Sequence, residues 1–227
     1  MTLASLYRSQ IRGLIPTLLR AYVPAFCLLC FVIGARFLAH IPFGHLTRDT
    51  TAVLNAPFYI GLVSNIGMLL WSSCAGICAF TAALLRGNDE DREMQLFLLA
   101  SCAITSFLLF DDLFLFHEDF CAKSLHIPET VTFAAYGAAI SVYFIRFRTT
   151  ILKTEFILLA IALVFFGLSI IVDEILPGRL RAQFLLEDGF KFLGIVSWLA
   201  YFARVCTDHV KNAASYQRGG LGTQTGT

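Results

Sequence analysis

Long apolar runs alternate with short polar connections along the chain. A helix that crosses a bilayer needs roughly 20 predominantly apolar residues. Six stretches meet that description: 17–39, 54–85, 95–117, 130–147, 151–173 and 185–206. The second is long, and its beginning near Pro57 reads as an interfacial stretch. Residues 1–16 follow another pattern. Leu3, Leu6, Tyr7, Ile11 and Leu14 alternate with Arg8, Gln10 and Arg12 at helical spacing, which predicts an amphipathic helix lying on the membrane surface. The polar, Gly-rich stretch from Asn212 to Thr227 predicts a disordered tail. The expected fold is therefore all-α, a polytopic membrane bundle of six transmembrane helices. It has a surface helix over 1–16, a membrane domain over 17–210 and a cytoplasmic tail over 211–227.

Composition narrows the class. The chain has 227 residues, 57% hydrophobic and 15% charged, against about 45–50% apolar and about 25% charged in soluble domains. Its mean hydropathy is +0.73. A soluble domain of this size could not bury that much apolar surface, which excludes a soluble enzyme, a disordered chain and a secreted disulfide scaffold. The net charge of +1 supplies no field for nucleic acid. Of the seven cysteines, Cys27, Cys30, Cys74, Cys78 and Cys102 fall inside apolar runs and read as small packing residues. Cys27-x-x-Cys30 has redox or metal spacing, but no second pair lies nearby to complete a thiolate site. Arg8 and Arg12 precede a first apolar run long enough to span, so the N-terminus does not read as a cleaved signal.

Charge placement predicts orientation. With the N-terminus in the cytoplasm, eleven lysines and arginines fall inside, from Arg8 to Arg218. Four fall outside: Arg48, Lys123, Arg179 and Arg181. The positive-inside rule then puts both termini on the cytoplasmic side of a cytoplasmic (inner) or plasma membrane. The acidic run at 88–93 becomes a solvated helix start, where the helix dipole favours Asp and Glu. Asp208 and His209, after the sixth span, read as a solvated helix end.

The acids show the opposite bias. Ten of the sixteen map to the outer side, and eight of those sit at the outer ends of the third, fifth and sixth spans. Asp111 and Asp112 are followed by four apolar residues before His117, so at 1.5 Å per residue they lie about 9 Å below it. An ionisable group at such depth costs about 2.5–3.5 kcal/mol at mid-helix on insertion scales, and usually faces a bundle interior or an aqueous cavity. Asp111 and Glu118, seven apart, share a helix face, while Glu187 and Asp188 stand at i,i+4 and i,i+3 from Lys191. Arg36, near the outer end of the first span, is the other cation at this level.

Three functions fit this layer. In the first, Asp111, Asp112, His117, Glu118, Asp173, Glu187 and Asp188 hold a divalent metal ion, because clustered carboxylates with a histidine suit hard or borderline cations. Asp111, Asp112, Glu118 and Lys191 would then carry the catalysis of an enzyme acting on a lipid or small amphiphile, with Lys191 or Arg36 holding an anionic group. The repeated Glu-x-x-His signature of di-iron bundles is absent. In the second, the layer binds a cation or proton as a carrier or sensor, for which Ser64, Asn65, Ser72, Ser73, Ser101, Thr105 and Ser106 offer mild polar groups deeper in the bundle. In the third, the acids and bases form a structural network in an accessory subunit whose lipid face meets a membrane-complex partner. Trp71 and Trp198, inside spans, read as core packing. The bilayer is the partner common to all three.

Overall fold

The computed structural model describes residues 3–87, 91–116, 121, 126–175 and 183–222, and no strand occurs among them. The chain divides into two compact units, Met1–Ile60 and Gly61–Thr227.

In the first unit, α1 (Leu3–Leu38) is one continuous helix with Pro16 and Pro24 inside it. The helical backbone passes unbroken through residue 16, where the sequence suggested a surface helix meeting a span. From Tyr22 onward the helix shows large apolar side chains outward, Phe26, Phe31 and Phe37 among them. Two short helices follow, α2 (Phe43–Thr47) and α3 (Thr50–Val53).

The second unit holds α4 (Leu62–Leu84), α5 (Arg92–Phe114), α6 (Glu129–Leu152), α7 (Ile157–Ile175) and α8 (Gln183–Gly222). Gly61, at φ 72°, sets the start of α4. Only glycine takes that left-handed conformation without steric cost, so the long second run of the sequence begins as turns. Leu62–Leu84, Arg92–Phe114 and Gln183–Lys211 are long and apolar enough to cross a membrane, which marks the chain as a membrane protein. Tyr22–Leu38 and Ile157–Asp173 are shorter apolar helices. The backbone of α8 stays helical to Gly222, past the point where the tail was expected to lose structure. Ala213, Ala214, Gln217 and Arg218, all good helix formers, account for part of that extension.

Helix α8 packs against both α4 and α7; α4 also packs against α5, and α5 meets α6. Lipid tails are as apolar as leucine, so close packing and interhelical hydrogen bonds, not escape from water, hold such helices together. Aromatic rings supply much of the packing. Trp71 of α4 stacks on Phe166 of α7 at 5.7 Å and meets Trp198 of α8 edge-on at 5.9 Å. Phe97 of α5 stacks on Tyr143 of α6 at 5.9 Å and lies 5.9 Å from Phe202 of α8. Three hydrogen bonds cross the same core. Trp198 Nε1 donates to Thr105 Oγ1 at 3.1 Å, Ser101 and Tyr143 share a hydroxyl pair at 2.7 Å, and Thr154 and Tyr201 share another at 2.8 Å. At Gly194 of α8, a Cβ would stand 2.6 Å from the Phe166 ring. The missing side chain is what lets α7 come so close.

Candidate functional site

Four helices meet here: the end of α5 and the first halves of α4, α6 and α8. Asp111 and Asp112 sit in the last turn and a half of α5. Successive residues on a helix point about 100° apart, so the two carboxylates leave α5 in different directions. Asp111 is 8% exposed and accepts a hydrogen bond from Tyr136 Oη of α6 at 2.8 Å. Asp112 turns to the other side. Its Oδ2 accepts from Trp71 Nε1 of α4 at 3.1 Å, and its Oδ1 pairs with Lys191 Nζ of α8. Two adjacent acids on one helix therefore reach three other helices.

Local spacing on α8 suggested Glu187 or Asp188 as the partner of Lys191. The structure gives that place to Asp112, 11% exposed in its side chain. A same-helix pair yields only about 0.2–0.5 kcal/mol, whereas a poorly solvated carboxylate left without its cation costs about 3–5 kcal/mol. Asp188 stays close: with Asp112, Lys191, Ser64 and Gly67 it lines a crevice of about 30 Å³, room on the scale of a water molecule. Ser169 of α7 donates to the Glu187 carbonyl at 2.9 Å and ties α7 to the start of α8.

The remaining expected site residues are dispersed. Asp173 is exposed on α7. Glu187 is half-buried and takes part in the layer through its carbonyl. His117 and Glu118 lie outside the described residues. Among the described residues, no group of three or more His, Cys, Asp and Glu side chains is placed to hold a metal ion. Arg36, in the first unit, donates to its own His40 carbonyl at 3.5 Å.

Tyr136 was not singled out by the sequence, and Trp71, read there as core packing, packs in the core and also bonds Asp112. Each combines an apolar body with one polar atom, and such residues find a partner for that atom when buried. An aromatic N–H or O–H in a span, with a carboxylate on another span, is the signal. Thr132, one turn before Tyr136, buries its hydroxyl with no hydrogen-bond partner. A buried unsatisfied polar group costs about 1–3 kcal/mol. Thr132→Val keeps the shape and removes that group, so the variant is expected to unfold at the same temperature as the parent or higher. A clear fall in Tm in detergent would mean that the hydroxyl has a partner after all.

Residues 23–205 match the family model described as Domain of unknown function (DUF8692), and the chain belongs to that family. The match runs from α1 into α8 and takes in every residue of the layer. No curated protein and no solved structure matches the chain.

Proposed function

We propose that this chain is a six-span membrane protein with both termini in the cytoplasm, and that its outer carboxylate layer holds helices together in a non-catalytic membrane subunit. Residues 1–16 would lie at the membrane surface, and α1, α6 and α7 would supply the spans beyond the three of full length. One observation carries the reading: Asp111 is engaged from α6, and Asp112 from α4 and α8. A catalytic pair would instead converge on a common cavity large enough for a substrate, as enzyme sites do. Among the described residues, the space beside Asp112 is about 30 Å³.

A second reading draws on that same crevice. There Asp112 and Asp188 meet, and with Asp111, His117, Glu118, Asp173 and Glu187 they would bind a divalent cation in an enzyme acting on a lipid or small amphiphile, while Lys191 would hold an anionic group of the substrate. Elemental analysis separates the two. Purified protein and its Asp112→Asn variant are both expected to carry no stoichiometric divalent metal. A metal present at one equivalent in the parent and lost from the folded variant would overturn the structural reading in favour of the metal site.

A further inference from the structure

At the end of the bundle away from Asp112, a cleft of about 620 Å³ opens among the first turn of α5, the turn joining α6 to α7, and α8. Its size falls in the range of small-molecule sites, about 300–1,000 Å³. Thr150 and Val205 are buried beneath it, and Met94 is half-buried at its side. The cleft stands at the beginning of one full-length span and near the end of another, level with the boundary of the apolar layer.

Both signs of charge line this cleft. Asp91 stands at the N-cap of α5 and Glu93 in its first turn, Lys153 and Glu155 come from the α6–α7 turn, and Arg204, Asp208 and His209 from α8. Two solvent-exposed ion pairs frame it. Arg146 of α6 grips Glu93 with both guanidinium nitrogens, at 2.6 and 3.1 Å. Arg204 grips Glu155, with Nη2 at 2.6 Å from Oε1. The Thr154–Tyr201 hydroxyl pair anchors the turn to α8 just behind them. With the frame held, Lys153 and Asp208 present a cation and an anion from different elements. With Glu93 and Glu155 each taken up by an arginine, a simple anion entering here still meets Asp91 and Asp208, and a simple cation meets Lys153. A ligand that carries both charges can set each end against its opposite, and unfavourable charge contacts with the wrong ligand are one way a site discriminates.

We propose that this cleft binds a small zwitterion, one with an ammonium and an acidic group a few bonds apart. Lys153 takes the acidic end and Asp208 the ammonium end. Phosphoethanolamine has this chemistry, and at this level it is met both as a free solute and as the headgroup of phosphatidylethanolamine.

The test is calorimetric titration of the full chain in phosphatidylglycerol nanodiscs with three probes: phosphoethanolamine, ethanolamine and inorganic phosphate. Phosphoethanolamine is expected to bind about tenfold tighter than either probe that carries charge of one sign only, a difference of about 1.4 kcal/mol. Lys153→Gln and Asp208→Asn should each remove most of that advantage while leaving the unliganded Tm unchanged. Should a variant fail to fold, the three-probe ranking on the parent decides alone. Repetition in phosphatidylethanolamine nanodiscs identifies the source. Weaker binding of the free probe there means that the lipid headgroup occupies the cleft, and equal binding means a soluble ligand. Equal affinity for all three probes, or no binding of phosphoethanolamine, overturns the proposal.

Discussion

Lys191→Met is expected to be among the most destabilising single changes at the carboxylate layer, costing about 2–4 kcal/mol. The reason is asymmetry within the pair. Asp112 is 11% exposed in its side chain and Lys191 is 43% exposed. Removing the lysine leaves a carboxylate inside the bundle with one neutral donor, the Trp71 indole. Breaking a buried pair from one side typically costs 3–5 kcal/mol, and the partial exposure of Lys191 lowers that figure. Removing the charge from the acid is milder. In Asp112→Asn the amide oxygen still accepts from Trp71, and the freed ammonium can swing outward on its flexible stem. About 1 kcal/mol is expected. The double variant should therefore be more stable than Lys191→Met alone, because no unpaired charge is left. Thermal unfolding of the four proteins in one detergent gives the coupling directly. Strictly additive losses would show that the two residues do not act as a pair.

The second large effect is expected at Gly194. An alanine Cβ there would stand 2.6 Å from two atoms of the Phe166 ring and 3.1 Å from a third. The ring has little freedom to withdraw, since it stacks on Trp71 at 5.7 Å and lies 6.3 Å from Trp198. Overpacking of a tight site costs about 1–3 kcal/mol, set against a helix-propensity gain for alanine over glycine of about 1 kcal/mol. Gly194→Ala should fall in Tm despite that gain. Phe166→Leu on the same background should recover part of the loss by making space, although Phe166→Leu alone is destabilising. If Gly194→Ala raises Tm, the close approach of α7 and α8 is not fixed by this glycine.

Of the six expected spans, three are helices long and apolar enough to cross a membrane, and the sequence showed these better than it showed the partners. The runs at 95–117 and 185–206 coincide with α5 and the first half of α8, because apolar composition over a membrane's thickness is a property of each segment alone. The break before α4 needed the backbone of Gly61, whose positive φ leaves no mark in hydropathy. Asp111 and Asp112 stand out in the sequence because apolar residues continue past them, and both are sheltered from solvent. Their partners did not stand out. Spacing along one helix reveals i,i+4 neighbours such as Glu187 and Lys191, but the bond from Asp112 to Lys191 joins residues far apart in the chain. It depends on how α5 faces α8. The same limit hid the cleft. Asp208 and His209 looked like an ordinary solvated helix end and Lys153 like one of the basic residues on the cytoplasmic side, and only the fold of the α6–α7 turn against α8 puts them around one space.

The position of α8 in the chain has a consequence for biogenesis. It is the helix against which both α4 and α7 pack, and it carries Lys191, Gly194 and Trp198, yet it is synthesised after α4, α5, α6 and α7. Those four helices leave the ribosome in turn with Trp71, Asp112 and Phe166 still facing places that α8 will fill. Chains fold from the N-terminal side during synthesis at about 5–20 residues per second, so the nascent bundle spends seconds with an open seam and a carboxylate without its ammonium. Assembly of the second unit is thus completed by one late arrival that closes the seam from both sides.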